Sequence, residues 1–171
     1  MIRRAAVVLI AVVLVLLSAF AQTPATLPGF SAEALSGRRV AMPEDAKGKP
    51  ALLVIGFTHA SGPHCTDWAK RLETEFKSDA SLELYSVIFL EDAPKLFRGM
   101  AVHGIKGSVP QEQFDHYLIV TEHEKDVKAA VGFQSPDDAY LALLGPDGVV
   151  RWTFHGPVSD DPIRQIRDKL R

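Results

Sequence analysis

The chain has 171 residues, 47% of them hydrophobic and 23% charged, with a formal net charge of −2, the balance of one ordinary globular domain once its N-terminus is set aside. The near-neutral charge and the lack of a basic run after Arg4 argue against a polyanionic partner and give no reason to invoke nucleic acid. A lone cysteine, Cys65, excludes an internal disulfide, so the fold must be held together by its apolar core.

Met1-Ile-Arg-Arg4, the apolar run Ala5 to Leu17 and the small-x-small triplet Ala19-Phe-Ala21 are the three parts of a secretory signal. The alternative is an uncleaved anchor, because Ala5 to Ala21 approaches the lower length limit for crossing a bilayer. Either reading places the domain outside the cytoplasm, in the periplasm or on the outer face of the inner membrane. Membrane contact is then expected only through this segment, and only if it is retained. The expected organisation is 1–21 signal or anchor, 22–38 linker and lead-in segment, and 39–171 folded domain.

Gln22 to Phe30, with Pro24 and Pro28, reads as linker. Phe30 to Met42 reads as two short strands around a Ser-Gly turn, and Lys47-Gly-Lys-Pro50 as a breaker before the buried strand Ala51 to Thr58. A turn-rich segment, His59-Ala-Ser-Gly-Pro-His-Cys65, follows. Trp68, Leu72 and Phe76 then recur at helical spacing, which predicts a helix over 67–76 with Trp68 in the core. Leu82 to Leu90 becomes wholly apolar, as an interior parallel strand does. It ends in Glu91-Asp92, either ligand-facing carboxylates at a strand's C-terminal end or the N-cap of a helix over 93–102.

Gly104, Gly107 and Pro110 predict a loop over 103–110, with a short helical turn at 111–116. A strand over 117–121 precedes a helix over 122–132 that turns Val127 and Val131 inward. Gln134 to Asp138 is a polar turn around Pro136. Gly145-Pro-Asp-Gly148 joins the strands 140–144 and 149–155 as a hairpin. An amphipathic helix introduced by Ser159-Asp-Asp-Pro closes the chain.

This order is that of an α/β protein and resembles the thioredoxin-like superfamily over nearly all of the mature chain. The resemblance is carried by Gly48-Lys-Pro-Ala-Leu-Leu-Val-Ile-Gly-Phe57 running into a Gly-Pro loop, by the strand and helix before the hairpin, and by the Gly-Pro-Asp-Gly turn. It implies a three-layer sandwich, a central mixed sheet flanked by helices, ending in a β-hairpin and a helix. With the export signal, the likeness is to the extracytoplasmic thiol-disulfide and peroxiredoxin-related branch.

That branch uses two cysteines separated by two residues, one attacking a disulfide and the other resolving it. Here Ser61 and His64 flank Gly62-Pro63. Matching the Gly-Pro pair removes both cysteines; keeping the spacing from Phe57 puts Gly62 at the first position and Cys65 at the second. Neither register leaves a dithiol. The family's cis-proline position falls on Ala139, with Pro136 three residues early.

A thiol at a helix start beside a protonatable His64 is expected to have a lowered pKa, which would fit single-cysteine peroxidase or reductase chemistry by Cys65 with His64. The opposing account is a cysteine packed as a small hydrophobe. Gly56-Phe-Thr-His59 also resembles the copper-binding assembly proteins of cytochrome oxidase, although Ala60 replaces their first cysteine, Cys65 matches the second only with an insertion, and Asp137 stands near their distant histidine. His59, His64 and Cys65 remain candidate ligands for copper or zinc; otherwise no cofactor is expected. The strand-to-loop sequence is also similar to a dithiol-free assembly chaperone of the mitochondrial ATP synthase. The favoured expectation is a non-enzymatic module that binds a protein partner through His59, Ser61, Gly62, Pro63, Glu91, Asp92, Pro136, Asp137 and Ala139.

Overall fold

Ala51 to Gly56 offers no polar side chain to solvent, so it can be stable only with both faces covered. The computed structural model, which describes residues 26–171, places this strand inside the sheet with every residue buried. The expected signal or anchor at 1–21 lies outside the described residues, as does the linker up to residue 25.

The sheet has seven strands in the order β2-β1-β5-β4-β3-β6-β7: β1 Phe30–Ala34, β2 Arg39–Met42, β3 Ala51–Gly56, β4 Glu83–Phe89, β5 Tyr117–Val120, β6 Tyr140–Leu144 and β7 Val150–His155. β4 lies parallel between β3 and β5, as its apolar run predicts. β6 runs antiparallel to β3 and hairpins into β7. The mixed, open sheet is flanked by α1 Gly62–Phe76, α2 Lys95–Ser108, α3 Glu124–Val131 and α4 Asp160–Leu170.

Alternation along the strands builds two cores. One face sets Leu52, Val54, Leu141 and Leu143 against Trp68, Leu72 and Phe76 of α1 and Ile163 and Ile166 of α4. The other sets Leu53, Ile55, Val87 and Tyr140 against Val127 and Val131 of α3, with Phe30, Val40 and Met42 closing the layer. The helix–sheet–helix sandwich is the expected one.

Four boundaries differ from the sequence reading. Leu27 is 1% exposed and Thr26 bridges to Val149, so the last residues of the expected linker dock on the domain. β1 belongs to the sheet, which therefore begins at Phe30 and not at residue 39. α1 starts at Gly62 instead of 67, because Pro63 costs no hydrogen bond in a first helical turn. α2 runs through the segment expected as loop over 103–110: Gly104 and Gly107 are tolerated within it, and it ends at Val109, held extended ahead of Pro110. Within the described residues the one cis peptide is Met42-Pro43, so Pro136 is trans.

Candidate functional site

β3 and β4 are parallel and β6 is antiparallel to them, so the loop after β3, the loop after β4 and the turn before β6 all emerge at one end of the sheet. Thr58 ties two of them. Its hydroxyl donates to the Pro136 carbonyl at 2.7 Å and accepts the Ser61 N–H at 3.1 Å, while the Ser61 hydroxyl donates back to the Thr58 carbonyl at 2.8 Å. The loop is thus a closed hydrogen-bonded turn. Ser61 spends its side chain on that turn and does not cap α1.

α1 opens at Gly62, so in both registers that the Gly-Pro pair leaves open the second position, His64 or Cys65, lies within the helix. A Cβ at Gly62 would meet nothing within 4 Å, whereas one at Gly56 would stand 2.9 Å from Cys65 Sγ and 3.2 Å from Ser61 Oγ. The thiol therefore packs on bare strand backbone, beneath the helix. Burial pushes its pKa up to about 11, with the Ser61 hydroxyl offsetting only part of that rise. This overturns the expected activation of Cys65 by the helix start and His64. Cys65 lies in the second turn, turned into the domain, and desolvation of a thiolate outweighs the helix field. Gly56→Ala is expected to destabilise the domain by about 1–3 kcal/mol through overpacking, and Cys65→Ala in the same chain to recover part of it in urea unfolding. Equal stability of Gly56→Ala and the parent would show that the thiol yields freely.

The remaining predicted positions divide. His59, Gly62, Pro63, Glu91, Asp92, Pro136 and Asp137 are exposed at this end, but Ser61 and Ala139 are buried and present no side chain to a partner. His64 is partly buried, its Nδ1 enclosed and without a hydrogen-bond partner. Glu91 and Asp92 do not cap the helix that follows them. The Glu91 carboxylate accepts the N–H of Glu124 at 2.7 Å, capping α3, and Asp92 lies 3.8 Å from Lys128. Lys128 also pairs with buried Glu124 and sits over the rings of Phe57 and Phe133. Among the described residues no three His, Cys, Asp or Glu side chains converge as a metal-holding group, so His59, His64 and Cys65 are not assembled into one.

The pairing of Asp138 with His155 is not evident in the sequence, where packing or exposure is the default for His155. Asp138 Oδ2 lies 2.8 Å from His155 Nδ1, and His155 stacks on Tyr140 at 5.2 Å between ring centroids. The Tyr140 hydroxyl in turn accepts the N–H groups of Gln134 and Ser135, each at 2.8 Å. These contacts hold the Pro136 turn against the end of the sheet.

No family model matches the chain, and no curated protein matches it in sequence. Solved structures match its fold. The thioredoxin domain of a thiol-disulfide oxidoreductase from Bacteroides vulgatus superposes with a TM-score of 0.62 at 18% identity, over 87% of this chain and 98% of its own. The exposed lipoprotein thioredoxin of Streptococcus pneumoniae gives 0.58 at 16%, over 84% and 100%. BsSco, of the Sco family of cytochrome c oxidase assembly proteins, gives 0.56 at 19%, over 86% and 95%. The chain therefore has the thioredoxin-like fold, with one cysteine where a dithiol pair would need two.

Proposed function

We propose that the protein is an extracytoplasmic thioredoxin-fold module without a redox dithiol, which binds a protein partner in an assembly or chaperone role. The surface it would use is the strand end carrying His59, Gly62, Pro63, Glu91, Asp92, Pro136 and Asp137. The observation that carries this reading is the state of Cys65. A thiol with a pKa of about 11 is ionised to only about one part in ten thousand at pH 7, and no second thiol stands beside it. A cytochrome c oxidase assembly protein of the same fold is a precedent for an assembly role.

Two measurements test it. In the native host, Cys65→Ser is expected to complement loss of the gene, while Asp137→Lys combined with Pro63→Ala is expected not to. Loss of complementation by Cys65→Ser alone overturns the non-enzymatic reading. In vitro, the raised thiol pKa has a stability consequence of definite sign. The folded state holds the proton more tightly than the unfolded chain, so this contribution is fully present below pH 9 and is lost as the pH rises towards 11. The loss should approach about 2–3 kcal/mol, read as a falling urea midpoint that Cys65→Ser flattens. A parent and a variant with the same profile above pH 9 would mean that the thiol is not desolvated.

A further inference from the structure

We propose that α2 is a lipid-docking helix that lays its outer face on an anionic membrane surface. Helices in proteins are held chiefly by packing an apolar stripe onto a core, and α1, α3 and α4 do this. α2 does not: none of its residues is buried, and Leu96, Phe97 and Met100 are 82%, 53% and 68% exposed. At helical spacing Met100 neighbours both Leu96 and Phe97, so the three form one outward patch. Val102, partly buried, instead lines a cleft with Leu35 and Ile119 of the domain, which identifies the inner side, while Lys106 borders that cleft and stays exposed on the flank of the helix. Gly99, Gly104 and Gly107 lower the helix's intrinsic stability, so the segment gains from whatever covers its outer face.

Charge selects the occupant. α2 carries Lys95, Arg98 and Lys106 and no carboxylate, in a chain that is net negative. Arg98 pins the first turn by donating to the carbonyls of Ala93 and Glu91. Among the described residues, Lys95 and Lys106 form no ion pair. The carboxylates just before the helix are already engaged with α3. A second copy of the chain in a two-fold contact would bring these cations against each other. Phospholipid of negative charge satisfies both parts, taking the apolar patch into the headgroup boundary while the lysine stems reach phosphate. The inference is independent of the partner-binding surface and of whether the N-terminal segment is retained.

The full chain, sedimented with vesicles of equal phosphatidylglycerol and phosphatidylcholine, tests it, with each variant read against the parent chain so that any contribution of the N-terminal segment cancels. Binding is expected to be about tenfold stronger than to pure phosphatidylcholine, and to fall by about tenfold in Leu96→Glu/Met100→Glu and in Lys95→Glu/Lys106→Glu. Leu96 and Met100 are exposed, so the circular dichroism of the first variant should match the parent. Absence of binding, indifference to phosphatidylglycerol, or binding that survives both variants overturns the proposal. So does a dimer in light scattering that Leu96→Glu/Met100→Glu abolishes, which would give the face to a second copy.

Discussion

Trp68→Ala is expected to cost about 3–5 kcal/mol in urea unfolding, a large share of the roughly 5–15 kcal/mol that holds a domain of this kind. The indole is fully buried between α1 and the sheet, meets Phe154 edge-on at 5.8 Å, and donates its Nε1–H to the Gly156 carbonyl at 2.8 Å. Truncation opens a cavity and leaves that buried carbonyl unpaired. Trp68→Phe separates the two effects: it retains most of the apolar contact and loses the hydrogen bond, for about 1–3 kcal/mol. The same helix presents Cys65 to Gly56, so the Phe variant should also speed alkylation of Cys65 by loosening α1. An Ala variant within about 1 kcal/mol of the parent would mean that this face of α1 does not carry the load that its burial implies.

What could be read in advance follows from the range of the interaction that decides it. β3 is legible because an unbroken apolar strand has one stable location, and the hairpin because Gly145-Pro-Asp-Gly148 closes a turn through its own Gly148 N–H to Gly145 carbonyl bond. Trp68, Leu72 and Phe76 repeat at helical spacing and do pack as a stripe. α2 was missed in its second half because glycines read as breaks, although only the prolines at 94 and 110 bound it. The raised pKa of Cys65 is not legible in the chain because its sequence neighbour, His64, is visible there, while the strand backbone that it packs on comes from β3. The Asp138–His155 pair was hidden by a β-bulge. Leu144 faces Val150, but Leu143 faces Trp152, a step that brings His155 opposite Tyr140; an unbulged ladder would put Phe154 there. Glu91 likewise finds its use on α3, 33 residues onward. For Cys65, the Asp138–His155 pair and Glu91 alike, the deciding partner lies on another element.

Gly62→Cys is expected to convert a chain with one inert thiol into one with a redox-active pair. The new Cβ has open space, at an exposed first helical residue. Residues three apart in an α-helix have Cα atoms about 5 Å apart, within the range a disulfide spans. A thiol at a helix N-terminus is also in the setting that lowers its pKa, unlike partly buried Cys65, whose pKa is raised by desolvation. The introduced thiol should therefore be alkylated at pH 7 at least about tenfold faster than Cys65. In oxidised glutathione it should form a mixed disulfide that Cys65 resolves. One glutathione thiol leaves in the first exchange and another in the second, leaving an intrachain bond detectable as the loss of two hydrogens by mass. Gly62→Cys/Cys65→Ser should stop at the glutathione adduct. A folded Gly62→Cys protein that never closes the bond would show that the Thr58–Ser61 turn holds α1 in a geometry unlike that of dithiol thioredoxin folds. Closure would show that the loop can seat a redox pair once a second thiol stands at position 62.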